Sequence, residues 1–267
     1  MKKFLLPVVA SVLFLSSPGT GEERPVEIPE RSRFHLFVLA GQSNMAGRGK
    51  VTGEDTKPHP RVLMLSKDLA WVPAVHPMHF DKPVAGVGLG RSFALELARE
   101  DPEVVIGLIP CAVGGSPVES WEPGGFHEQT GTHPWDDMVP RVRTAMRSGT
   151  LQGILWHQGE SDAKEERAPL YADRLEALVI RFRKTFDAPD IPFIAGQMGN
   201  WPERPWNEWK RMVDAAHRNL PKSLPHTGFV SAEGLSHRDG VHFDRDSYIT
   251  LGRRYAAAYR ELRDAED

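Results

Sequence analysis

Four polar clusters, far apart in the chain, carry residues that could together transfer an acyl group. Ser43 lies in Gly41-Gln42-Ser43-Asn44-Met45, and Asp239 and His242 lie in Asp239-Gly240-Val241-His242. A serine hydroxyl is a weak nucleophile until an imidazole accepts its proton. That imidazole needs a carboxylate to hold its tautomer and balance its charge. Asp239 and His242 are three residues apart in a polar turn, close enough for a carboxylate–imidazole hydrogen bond within one loop. Ser43 falls where a strand is expected to pass into a helix, and the free backbone N–H groups of a helix start suit a developing oxyanion. The third cluster, His157-Gln158-Gly159-Glu160-Ser161-Asp162, offers the Gln158 side-chain amide as a further donor. The Gly115 N–H of Gly114-Gly115-Ser116 is another, since glycine lets an oxygen approach its backbone. The reaction so assembled is acyl transfer to water.

Other residues have competing readings. His157 and Glu160 have the i, i+3 spacing of a metal pair, but a metal site needs three or four ligands and no second histidine pair supports one. They read as residues that orient Ser43, Gln158 or His242 through hydrogen bonds, and no metal or other cofactor is expected. Asn44 braces the turn after Ser43 or simply starts a helix. Trp121 and Trp135, with Trp201 and Trp206 further on, offer indole faces for sugar rings or serve as packing anchors. Cys111 reads as a small buried apolar residue. Gly86, Gly88 and Gly90 lack the dinucleotide fingerprint and read as a tight turn before a helix.

The elements that must position these groups alternate. Apolar runs at Phe34–Ala40, Val104–Pro110, Leu151–His157, Ile191–Met198 and Gly228–Ala232 are separated by stretches of 3.6-residue period. These helical stretches are Gly90–Glu100, Asp136–Ser148, Glu165–Phe186, Asn207–Leu220 and Ser247–Arg263. Continuous apolar strands between amphipathic helices predict a mostly parallel sheet covered on both faces. Ligands of such sheets bind beyond the carboxyl ends of the strands, where every polar cluster named above falls. Two stretches break the alternation: Lys50–Val87, rich in proline with a possible hairpin at Val62–Leu65 and Ala70–Val72, and Ser116–Trp135. Unstructured loops this long are usually functional, and both are expected to lie over the site.

Composition narrows the class. The chain has 267 residues, 33 Lys and Arg against 36 Asp and Glu, and a net charge of −3, so a nucleic-acid polyanion is an unsuitable partner. One cysteine excludes an internal disulfide and any cysteine-built metal cage. Lys2 and Lys3 precede an apolar run from Phe4 to Leu15 and a small-residue exit, the pattern of a secretory signal peptide over residues 1–20. The run is too short for a permanent membrane span. Residues 21–33 form a polar lead-in, residues 34–267 one domain, and the expected location is secreted or periplasmic.

In order along the chain, Gly41-Gln42-Ser43-Asn44-Met45, Gly114-Gly115-Ser116, His157 to Asp162 and Asp239-Gly240-Val241-His242-Phe243 resemble the signature blocks of the sialate O-acetylesterase-like family. That family includes the acetylxylan esterases of carbohydrate esterase family six and belongs to the SGNH-hydrolase superfamily. The resemblance runs from about Phe34 to Tyr259. It implies a three-layer α/β/α sandwich of flavodoxin-like type, with a central, mostly parallel sheet that the apolar runs put at five strands. It implies no metal, and hydrolysis of acetyl esters on oligo- or polysaccharides. It makes Ser43 the nucleophile, His242 the general base and then acid, and Asp239 its orienter. Gly115 and Gln158 join Ser43 as oxyanion donors, with Gln158 where other SGNH enzymes carry asparagine. Two other hypotheses stand beside it: a metal-dependent hydrolase using His157, Glu160, Asp239 and His242, and a catalytically silent carbohydrate-binding protein on an esterase scaffold. For the esterase, activity should fall on acidification through the histidine range, around pH 6–7, because His242 must be neutral to accept a proton.

Overall fold

A computed structural model describes residues 26–265. The expected signal peptide and the first residues of the polar lead-in, 21–25, lie outside the described residues; the lead-in ends in a short 3-10 turn at Arg31–Arg33. The strands are β1 (Phe34–Gly41), β2 (Val62–Leu65), β3 (Trp71–Pro73), β4 (Val105–Pro110), β5 (Thr150–His157), β6 (Phe193–Gly196) and β7 (Thr227–Val230). The helices are α1 (Ser43–Ala46), α2 (Gly90–Glu100), α3 (Pro134–Ala145), α4 (Tyr171–Thr185), α5 (Glu208–Ser223) and α6 (Arg245–Asp264).

One sheet holds all seven strands in the order β3-β2-β4-β1-β5-β6-β7, parallel except for the β2–β3 hairpin. The five strands read from the apolar runs are contiguous, in the order β4-β1-β5-β6-β7 out to the β7 edge, the flavodoxin-like arrangement. The count of five is corrected to seven. The Lys50–Val87 excursion folds back so that β2 pairs with β4 and the hairpin extends the sheet. Pro60 precedes β2, and Pro73 ends the edge strand β3 opposite Leu63, so a Pro-rich stretch that reads as loop contributes two strands at one edge.

Alternation along β1 sorts the sheet into two cores. Phe34, Leu36, Val38 and Ala40 face a layer built by α3, α4 and α5, where Trp135, Phe182 and Val213 are buried. Phe37 and Leu39 face the layer of α2 and α6, among Phe93, Leu251 and Tyr255. A strand buried on both faces has no polar side, which is why β1 reads as an apolar run interrupted only by the half-buried His35 near its start. In α6, Tyr248, Leu251, Tyr255 and Tyr259 form one buried stripe at helical spacing.

Candidate active site

Strand order reverses at β1, where successive crossovers run to β4 on one side and β5 on the other, leaving a crevice at the carboxyl ends of β1 and β5. Ser43 opens the four-residue helix α1 immediately beyond β1. Gly41 allows that turn. Its φ is +127°, and a Cβ there would lie 2.3 Å from the His157 carbonyl oxygen of β5. The Gln42 N–H donates to that same carbonyl at 3.0 Å, and the Gln42 Oε1 accepts from the Ser161 N–H at 3.3 Å. The nucleophile turn is thus sewn to the loop after β5 from both directions.

The catalytic-type constellation closes across 199 residues of sequence. The His242 Nε2 lies 3.0 Å from Ser43 Oγ, and the His242 Nδ1 lies 2.8 Å from Asp239 Oδ2. A carboxylate can only accept, so Nδ1 carries the proton, and Nε2 presents its lone pair to the serine O–H. Asp239 Oδ1 accepts the backbone N–H groups of Val241 at 3.0 Å and His242 at 2.8 Å. Burial favours the neutral acid, but the His242 ring and these two N–H groups outweigh it and hold the Asp239 carboxyl down at about 2. Asp239 is therefore charged whenever His242 works.

Asn44 resolves into a brace. Its Nδ2 donates to Glu160 Oε1 at 2.6 Å and to the Val241 carbonyl at 3.1 Å, while its Oδ1 accepts from the Tyr248 hydroxyl at 2.7 Å and the Phe243 N–H at 3.4 Å. It ties the loop of His242 to β1 and β5 with every polar atom of its amide in use. Glu160 lines the pocket, with Oε2 unpartnered, and burial raises its carboxyl above the ordinary range.

Two sequence expectations are corrected, for Gln158 and His157, and the open choice for Trp121 and Trp135 is decided. The Gln158 side chain is fully buried and does not line the pocket of Ser43. Its Nε2 donates to Asp162 Oδ2 and the Ser116 carbonyl, and its Oε1 accepts from the Tyr171 hydroxyl, so both amide protons are spent inside the fold. His157 is fully buried and engages neither Ser43, Gln158 nor His242. Its Nδ1 meets the Tyr255 hydroxyl at 3.1 Å, that hydroxyl donates to the Trp156 carbonyl, and burial lowers its pKa to about 3. Trp121 and Trp135 are packing anchors. Trp121 stands edge-on to Trp156 and donates from Nε1 to Ser116 Oγ, and Trp135 packs edge-on to Phe182. Trp201 and Trp206 are also buried, although both border a cleft with Asn200 and Pro202. Cys111 is buried, and burial pushes its thiol up to about 11.

Gly115 does line the pocket. Its φ of +88° is left-handed, and a Cβ would meet Gln129 Oε1 at 2.5 Å. The turn is held by residues sequence reasoning missed. Asp81 Oδ2 accepts from the Gly114 N–H at 2.9 Å and from Arg48 Nη2 at 2.6 Å, an ion pair whose side chains are 1% and 5% exposed. Both residues flank or lie within the proline-rich excursion, and no motif signals them. The pocket itself, about 440 Å³, is walled by Arg48, Lys82, Lys164 and Arg167 around Ser43 and His242. His157, Glu160, Asp239 and His242 do not converge, and no group of three or more His, Cys, Asp or Glu side chains among the described residues forms a metal cage. No helix among them is long and apolar enough to cross a membrane.

The family described as carbohydrate esterase, sialic acid-specific acetylesterase, matches this chain over residues 33–261. A probable carbohydrate esterase of Arabidopsis thaliana is 31% identical over 261 residues, covering 90% of this chain and 95% of the relative. The human sialate O-acetylesterase is 28% identical over 163 residues, which cover 50% of this chain and 31% of that protein. Among solved structures, a protein from Arabidopsis thaliana superposes with a TM-score of 0.75 at 30% identity, covering 87% of this chain and 99% of the other. The crystal structure of NanS shares the fold, with a TM-score of 0.71 at 17% identity over 89% of this chain and 100% of the other.

Proposed function

The chain belongs to the carbohydrate esterase, sialic acid-specific acetylesterase family, and from that membership we propose that it hydrolyses acetyl esters on sugars through an acyl-enzyme carried by Ser43. The single observation that carries the mechanism is the run of hydrogen bonds from Ser43 Oγ through His242 to Asp239. Ser43 Oγ attacks the acetyl carbonyl as its proton passes to His242 Nε2. The resulting imidazolium is balanced by Asp239, which stays ionised. The oxyanion takes the backbone N–H groups of Ser43 and Gly115. Gln158 has no part in it, because its donors are already engaged. Collapse of the tetrahedral intermediate breaks the ester bond, and His242 returns its proton to the departing sugar oxygen. Water then enters, gives a proton to His242, attacks the acetyl carbonyl and releases acetate while Ser43 regains its hydrogen.

Asn44 and Glu160 support this chemistry by fixing the height of the His242 loop above β1. The substrate is an acetylated oligo- or polysaccharide, and the N-terminal sequence pattern supports a secreted or periplasmic location. The test is acetate release from acetylated xylan and acetylated sialosides, with p-nitrophenyl acetate alongside, for the native chain and for Ser43→Ala. Loss of turnover on every substrate in the variant supports the reading. Equal turnover by both proteins would remove Ser43 from the mechanism.

A further inference from the structure

A second cavity of about 500 Å³ opens beside the catalytic pocket, and two chain segments wall both. Asp81 faces the second cavity and Lys82 the catalytic pocket. Ala112 and Val113 face the second cavity, and Gly114 and Gly115 the catalytic pocket. Gln129 leans over Gly115 and receives a hydrogen bond from Lys82, while Thr130 and Thr132 line the second cavity. Neighbouring residues in a chain have Cα atoms about 3.8 Å apart, so the two spaces are separated by little more than one backbone.

The chemistry of the second cavity is mixed in a specific way. Its floor is apolar, built from Pro110, Cys111, Ala112 and Met138. At its mouth the Phe80 ring is 42% exposed, with the Arg141 guanidinium stacked 4.7 Å from its centroid. Among these apolar surfaces lie buried polar atoms with no partner. Asp81, with a side chain 1% exposed, uses only Oδ2, and its Oδ1 is unpartnered. His79 is 5% exposed, and neither ring nitrogen reaches a partner at hydrogen-bonding geometry, although the ring lies against the Leu39 carbonyl. Burial lowers the His79 pKa to about 4, so the ring is neutral, with one donor and one acceptor. Buried polar groups are normally satisfied, and a wholly apolar ligand would leave these unanswered. A pyranose answers both halves, with hydroxyls that donate and accept and a C–H face that lies on an aromatic ring.

We propose that this cavity is a subsite for the sugar next to the acetylated one, so that the enzyme recognises its ester within a chain of at least two sugars. The inference rests on the reading of Ser43, His242 and Asp239 as an acetyl-ester hydrolase and adds the length of glycan that the site spans. Phe80 supplies the platform, Asp81 Oδ1 and the His79 ring meet hydroxyls, and Thr130 and Thr132 line the entrance.

The experiment compares kcat/KM for acetylated xylose and acetylated N-acetylneuraminic acid, each as its methyl glycoside and within a trisaccharide, with p-nitrophenyl acetate as a substrate too small to reach the cavity. For at least one sugar the native enzyme should prefer the trisaccharide by about tenfold or more. Phe80→Ala should bring that ratio to near one while p-nitrophenyl acetate turnover stays within about twofold, and Phe80→Trp should restore it. A native ratio near one for both sugars overturns the subsite. So does a Phe80→Ala loss that is equal on all substrates, which would mark Phe80 as structural. Failure of the esterase reading looks different: the native protein would then release no acetate from any substrate, p-nitrophenyl acetate included.

Discussion

The two halves of the site are built in contrasting ways. The nucleophile half belongs to the core: Ser43 is 7% exposed, Asn44 is fully buried, and both follow a strand whose neighbours on either side are parallel. The base half is a loop near the surface, where the Asp239 side chain is 44% exposed and that of His242 24%. What holds it is a short set of links. Phe243 is fully buried, Asn44 bonds Val241 and Phe243, Arg238 Nη1 donates to the Arg48 carbonyl at 2.6 Å, and His237 pairs with Glu203. The strand end fixes where the oxygen sits, and the loop only has to bring a ring to it. Precision therefore depends on the links as much as on the triad.

Removing the acyl acceptor should have the largest effect. Ser43→Ala is expected to lower kcat on p-nitrophenyl acetate by about 10⁶-fold with an unchanged melting temperature. Asp81→Ala strikes the wall of the oxyanion turn on the rigid side. It leaves the buried Arg48 guanidinium without its carboxylate and should cost about 3–5 kcal/mol, measured by urea unfolding. Asn44→Ala cuts the link between the halves. It should reduce kcat by about 10²-fold with a much smaller change in KM, because a displaced ring misaligns proton transfer without touching substrate. A KM effect of equal size would mean instead that Asn44 contacts the sugar.

The smallest effect concerns pH. Burial raises the Asp162 carboxyl from 3.8 to about 6 in the folded protein. A carboxyl that binds its proton more tightly when folded favours the native state most below its unfolded value. Stability should therefore fall as pH rises from about 4 through 6 and then level off. Thermal melts across that window should show the slope, and Asp162→Asn should flatten it. A native slope that persists unchanged in the variant would assign it to another group.

The contrast between halves also explains what could be read from the sequence. Strand β1 and the helix α2, at Gly90–Glu100, emerged from apolar runs and helical period because a buried element writes its packing into consecutive residues. Ser43, Asp239 and His242 stood out because a nucleophile, a base and an acid form a chemically coherent set. Gln158 misled because an amide at a strand end has the right chemistry, whereas the side of the sheet it turns toward depends on Asp162 and Tyr171. The tryptophans stayed undecided because indole composition is the same in a core and in a sugar platform, and burial of Trp121 decides it. Arg48 and Asp81, 33 residues apart, meet only because the excursion between them returns to its origin, sealed by the pairing of Gly49 with Val87. No periodicity records such a closure.

Covalent capture of the attacking oxygen tests the central claim most directly. The native protein is treated with a fluorophosphonate, digested and mapped by mass spectrometry, with turnover followed in parallel. One equivalent of label on Ser43, activity lost in step with it, and little labelling of His242→Ala are the outcomes expected of a histidine-activated serine. Label on another residue, or full turnover by protein already modified at Ser43, would contradict the account.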